Sequence, residues 1–130
     1  MLTVEVGQQI PTLSVEISRE QIAEYAEASG DRNPIHLDDD FARSVGLPGL
    51  IAHGMLDMGI LARMLVDWAG DPGKLERLRC RFAGMVEPGD TLTCQGRIAK
   101  VGDDSVELEL WAENQRGEHV LSKGYARLKR

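Results

Sequence analysis

The chain has 130 residues, 42% of them hydrophobic and 28% charged, with a formal net charge of −6 at pH 7. That length suits a single domain, residues 1–130, with one real core. The negative balance argues against general nucleic-acid binding, which relies on a basic footprint to displace counterions from phosphates. The longest apolar-rich stretch, Leu47 to Gly70, is broken by Pro48, His53, Asp57, Arg63 and Asp67, so no membrane span is expected. Neither a basic nor an apolar leader region opens the sequence, and Cys80 and Cys94 form no C-x-x-C pair. Reduced thiols and a cytoplasmic location are therefore the expectation.

In chain order, Thr12 to Ile17 alternates as a half-buried strand does, and Ser18 with Gln21 resembles a capping box that opens a helix. Ile22, Tyr25, Ala26 and Ser29 follow at helical spacing, a stripe expected to pack inward and to deliver Gly30-Asp31 at the helix end. Pro34 fixes its own φ and pushes Asn33 out of the α region, so Gly30–His36 reads as a shaped turn. Asp38 is a plausible N-cap for a short helix through Phe41, Ala42 and Val45, closed by Gly46. From about His53 to Ala69, apolar residues cover most of the helical circumference, which predicts a helix wrapped by other structure. The remainder alternates with period two: Leu78, Cys80 and Phe82; Leu92 and Cys94, with Ile98 and Val101 in imperfect phase; Val106, Leu108 and Leu110; then Val120 and Ser122 to Leu128. Turn signals at Glu87–Asp90, Gly102–Asp104 and Asn114–Gly117 separate four strands. An antiparallel sheet with the long helix on its concave face is the expected α+β architecture.

The chemistry concentrates in the segment from Tyr25 to Ala42. Asp31 and His36 stand on either side of the Asn33-Pro34 corner, so two proton-handling groups are aimed at one point. Three histidines, at 36, 53 and 119, show no metal-ligand spacing, and no metal or cofactor is expected. The run Asp38-Asp39-Asp40 is better explained by helix capping than by a divalent cation, since consecutive carboxylates point in different directions. His53 reads as a helix-start histidine satisfied by local hydrogen bonds, and His119 as surface. Met55, Met58 and Met64 lie at helical spacing, as core filler or as the lining of an acyl pocket. Arg77, Arg79 and Arg81 alternate on one strand, either to meet the phosphates or pantetheine arm of a ligand or to pair with Glu107 and Glu109 next door.

The run Ser29-Gly30-Asp31-Arg32-Asn33-Pro34-Ile35-His36, with Tyr25 before it and Ala42 after it, resembles the hydratase 2 signature of MaoC-like (R)-specific enoyl hydratases. Ile51-Ala52-His53-Gly54-Met55 is similar to that family's entrance to its central helix. The likeness covers nearly the whole chain, and the segment Asp67–Gly73 is also similar to the catalytic subunit of actinobacterial 3-hydroxyacyl-ACP dehydratases. The resemblance implies a hotdog fold, a long helix wrapped by five or six antiparallel strands. It also implies reversible hydration of trans-2-enoyl thioesters to (R)-3-hydroxyacyl thioesters in fatty-acid or polyketide metabolism. Asp31 and His36 would exchange protons with water and C2, Asn33 would orient the pair or the acyl group through its amide, and the Gly54 N–H would receive the thioester oxygen, glycine letting the substrate come close, with simple helix-entry geometry as the other reason for a glycine there. Met55, Met58, Arg79 and Arg81 are the candidate substrate contacts. Acyl-CoA or acyl-ACP is the expected partner, within a homodimer or a heterodimer with a second hotdog subunit. Two alternatives stay open: a hotdog thioesterase with Asp57 as its acid, and a non-catalytic acyl-binding subunit.

Overall fold

A computed structural model describes residues 3–130. The first strand, β1 (Leu13–Glu16), alternates in burial and leads to Ser18, whose hydroxyl accepts the Gln21 N–H and caps α1 (Arg19–Ser29). That helix ends at Gly30, with φ of 78°, a left-handed conformation that costs glycine nothing. Ile22 and Ala26 are buried and Tyr25 is half-buried, but Ser29 departs from the expected inward stripe. It is exposed, and its hydroxyl accepts the Asp31 N–H, so it shapes the turn and adds nothing to the core.

Asp38 caps α2 (Asp39–Ser44) by accepting the N–H groups of Asp40 and Phe41. Capping does not account for Asp39. One of its oxygens accepts the Leu50 N–H at 2.9 Å and the other meets Arg19 at 2.9 Å, and these two contacts hold its carboxyl below the usual carboxylate range. Phe41 and Val45 are exposed, because so short a helix has one inward position and Ala42 occupies it.

The long helix α3 (Gly54–Ala69) buries Leu56, Asp57, Ile60, Leu61, Met64, Leu65 and Ala69. Four strands follow: β2 (Leu75–Phe82), β3 (Thr91–Val101), β4 (Ser105–Glu113) and β5 (His119–Lys129). The five strands form one antiparallel sheet in the order β1-β3-β4-β5-β2. Leu92, Cys94 and Ile98 of β3, Val106, Leu108, Leu110 and Ala112 of β4, and Ala126 and Leu128 of β5 join the α3 residues in one core. This is the hotdog arrangement, with α3 wrapped by the sheet. The imperfect phase of Ile98 and Val101 has a physical cause, a register shift between Ile98 and Lys100 that inserts a bulge. A second irregularity brings Val120 and Leu121 inward in succession, beside Lys123 at φ of 48°.

Strand order also decides the arginines. Since β2 pairs with β5 and not with β4, Arg77, Arg79 and Arg81 do not pair with Glu107 and Glu109. Glu107 is engaged by Tyr125 and Lys100, and Glu109 by Arg97. Phe82, in phase with Leu78 and Cys80, is nonetheless 53% exposed, because it closes its strand at the sheet edge. Among the described residues no helix is long and apolar enough to cross a membrane.

Candidate active site

Two short segments build the site. In the first, the Asp31 carboxylate accepts the Asn33 N–H, and Asn33 in turn uses its side-chain oxygen to accept the Ile35 N–H, capping a single 3-10 turn, Pro34–His36. Proline at the first position of that turn gives up no hydrogen bond. Asn33 thus shapes the corner through its carbonyl oxygen, which is already committed to the backbone. The turn presents His36 inward and leaves Asp31 exposed beside it.

The second segment, Ile51–Gly54, answers the first by reciprocal bonds. His36 donates from Nδ1 to the Ile51 carbonyl at 2.7 Å, and the Ile51 N–H returns to the Ile35 carbonyl at 3.1 Å. With Nδ1 carrying the hydrogen, the His36 Nε2 lone pair is the one left for chemistry. His53 donates from Nε2 to the Asp31 carbonyl at 2.9 Å and stacks on His36, with ring centroids 3.8 Å apart and planes 23° from parallel. Its satisfaction is therefore long-range, 22 residues along the chain, and not local as expected from its place at the helix start. Tyr25 of α1 meets the other side of the His53 ring edge-on at 4.8 Å.

No side chain caps the start of α3, so the first N–H groups, at Gly54 and Met55, open the helix at its positive end. Glycine at 54 has a further structural reason: a Cβ there would lie 3.0 Å from the Phe82 ring. Of the other expected contacts, Met55 is 56% exposed and Met58 half-buried on the first turns of α3, at the same end as the pair. Arg79 lies with its guanidinium over the Tyr125 ring at 4.6 Å, and Arg81 pairs in register with Ser122. Both arginines are exposed, and they sit on the sheet and not in the two segments that make the site. Met64 is core.

The fold brings together what linear spacing did not: an oxygen of Asp31 and one ring nitrogen each of His36 and His53 all lie within 4.8 Å of one another. As a metal site the group is poorly shaped. An ion bound by both imidazoles must lie near both ring planes at about 2 Å from each nitrogen, whereas stacked rings 3.8 Å apart hold their lone pairs in nearly parallel planes. The same spacing suits one water bonded to the Asp31 carboxylate and a His36 ring nitrogen.

Asp57 occupies different surroundings. It is 2% exposed, one of its oxygens has no hydrogen-bond partner, and burial pushes its carboxyl up to about 7. Burial, with the Asp57 carboxyl adding to it, pushes the Cys94 thiol up to about 12. Neither group is a ready nucleophile or an accessible hydrolytic base.

The sheet wraps a central helix that begins beside an exposed carboxylate, Asp31, and a buried imidazole, His36. The chain belongs to the MaoC family, since residues 3–118 match the family model described as a MaoC like domain. It is 31% identical over 111 residues to the probable enoyl-CoA hydratase 2 of Dictyostelium discoideum, covering 84% of this chain and 37% of that protein. Among solved structures it is similar to the (R)-hydratase from A. caviae involved in PHA biosynthesis, with a TM-score of 0.89, 27% identity and coverage of 99% and 98% of the two chains. It is also similar to a chain of the ChsH1-ChsH2 complex from Mycobacterium tuberculosis, with a TM-score of 0.87, 26% identity and 98% coverage of each chain. The chain spans between 3% and 37% of the length of the curated relatives it matches.

Proposed function

We propose that this protein is a hydro-lyase that interconverts trans-2-enoyl and (R)-3-hydroxyacyl thioesters in fatty-acid or polyketide metabolism, working as a single domain in the cytoplasm. The observation that carries the reading is the placement of an Asp31 carboxylate oxygen and a His36 ring nitrogen within 4.8 Å of each other beside the open start of α3. Relatives named as hydratases support it.

In the dehydration direction, His36 Nε2 takes the C2 proton. The electron pair left on C2 delocalises onto the thioester oxygen, which the Gly54 N–H and the positive helix end stabilise. The C2–C3 double bond then forms as the C3–O bond breaks, and the hydroxyl leaves as water with a proton supplied by the Asp31 carboxyl. Transfer of the proton from His36 back to Asp31 resets the pair. Hydration runs the same steps in reverse, with syn delivery of hydroxyl to C3 and proton to C2. Met55 and Met58 line the acyl entrance in this reading, while Arg79 and Arg81 offer charge to the CoA or carrier-protein end of the substrate. A thioesterase centred on Asp57 is disfavoured because that carboxyl is buried without a partner. We also propose that the protein works as a homodimer.

The reading is tested by following enoyl absorbance after mixing crotonyl-CoA with the wild type, Asp31→Asn and His36→Ala. Loss of one acid–base group typically costs about 10²–10⁴ in rate. We expect the (R)-3-hydroxyacyl product from the wild type and a fall of that size in each folded variant. A variant of either residue that keeps wild-type turnover would sink the assignment.

A further inference from the structure

We propose that His53 is a positioning residue that sets the geometry of the Asp31–His36 pair, and this rests on the hydro-lyase reading above. Its ring is 2% exposed and touches both members of the pair, one through a hydrogen bond and the other through its face. Donation from Nε2 to the Asp31 carbonyl requires the Nε2–H form, so Nδ1 carries a bare lone pair. That Nδ1 is buried and has no partner. An unpaired buried acceptor is a standing cost that a phenylalanine in the same stack would avoid. The imidazole is therefore explained by the bond that phenylalanine cannot make, the one to Asp31.

The consequence is geometric. Asp31 is exposed, and its own segment holds its N–H to Ser29 and its carboxylate to the Asn33 N–H, which leaves its carbonyl to be tied across the site by the His53 ring. The hydrogen bond from His53 anchors the Asp31 carbonyl to the residue immediately before Gly54. The stack sets the plane of His36, whose remaining restraint is the bond from Nδ1 to Ile51. One ring thus references the acid, the base and the helix N–H to a common frame. Removing the donor leaves the substrate's binding surface in place but lets the carboxylate drift relative to His36, and a misplacement of about 1 Å can cost on the order of 10² in rate.

Two variants separate this role from simple packing. His53→Phe keeps the stack and loses the donor; His53→Gln loses the stack and keeps an N–H at comparable reach. Steady-state hydration of crotonyl-CoA should show His53→Phe with kcat down by roughly 10–100-fold and KM within about threefold. His53→Gln should recover at least part of that loss, with melting temperatures close to the wild type. In parallel, the backbone amide signals of Asp31, Arg32 and Asn33 in ¹⁵N–¹H spectra should move in His53→Phe while those of β3 and β4 stay put. Wild-type kcat in folded His53→Phe, or unmoved amide signals at 31–33, would overturn the proposal. So would a joint collapse of kcat, KM and melting temperature in both variants, which is what a purely structural residue gives. If the wild type is inactive yet the amide signals at 31–33 move, the hydro-lyase reading fails and the positioning contact stands.

Discussion

A carboxyl group enclosed as fully as that of Asp57, with no cation or donor at its free oxygen, carries a pH signature that stability measurements can read. Its pKa is raised to about 7 in the folded protein by desolvation, against an ordinary 3.8. Between those values the unfolded chain has lost the proton and the folded chain keeps it, so this group makes the fold less stable as pH rises from about 4 to 7. Asp57→Asn, neutral at every pH, removes that loss. Urea denaturation at pH 4 and pH 8 should show the variant's advantage over the parent growing by on the order of 3–4 kcal/mol between the two. Hydration activity at pH 7 should stay within about threefold. An advantage that does not change with pH would show that Asp57 is not buried as described, and loss of hydration activity would show that its carboxyl takes part in the hydration site. At this scale the sequence was legible wherever a residue acts on its neighbours: Ser18 and Asp38 cap as their patterns predict, and Asn33-Pro34 makes its corner. It was not legible at His53, whose partner lies 22 residues away, nor at Gly54, whose packing against Phe82 depends on how β2 meets α3.

The β4–β5 connection shows how one element end is held. Asp90, just before β3, is nearly buried and accepts hydrogen bonds from both terminal nitrogens of Arg116, from Gln115 and from the Glu87 N–H. Burial opposes ionisation of Asp90, but these donors outweigh it and keep the carboxyl below its usual range. Arg116 also meets Glu118 at 2.6 Å, so one guanidinium ties the turn 114–118 to the start of β3. Truncating one partner leaves a buried charge uncompensated. Arg116 is itself half exposed, which discounts the loss. Arg116→Ala should therefore leave a stability deficit at pH 7 in chemical denaturation. A carboxyl with a depressed folded pKa contributes its stability above the unfolded value and loses it as pH falls through the folded one, so the deficit should shrink toward pH 3. A deficit that is the same at pH 7 and pH 3 would show that the pair is not what the turn depends on. Element existence and type were readable from period and turn residues, down to the disturbed phase at Ile98. The lateral order of the strands was not, and the partners of Arg77, Arg79 and Arg81 depend on that order.

At the scale of the whole molecule, the sheet leaves β1 and β2 as edges, and Phe82, Met55 and Met85 stand exposed by 53%, 56% and 46%. Free strand edges and clustered apolar side chains favour association. Light scattering on the purified protein should give twice the 14.3 kDa chain mass. A single-chain mass would sink the homodimer and direct attention to a different hotdog partner, as in the two-component complex that the fold resembles. Connectivity has a further consequence for synthesis and truncation. Asp31, Asn33, His36, His53 and Gly54 all precede β2 in the chain, yet among the described residues β2 pairs with β5 alone, more than thirty residues further on. The Phe82 ring that backs Gly54 is thus placed only when Leu121 to Leu128 have arrived beside β2. A growing chain can carry Asp31, His36, His53 and Gly54 and still lack the strand that holds β2 until residues 119–129 have been added. A frameshift near residue 118 should abolish the proposed hydration while leaving Asp31, His36, His53 and Gly54 unchanged.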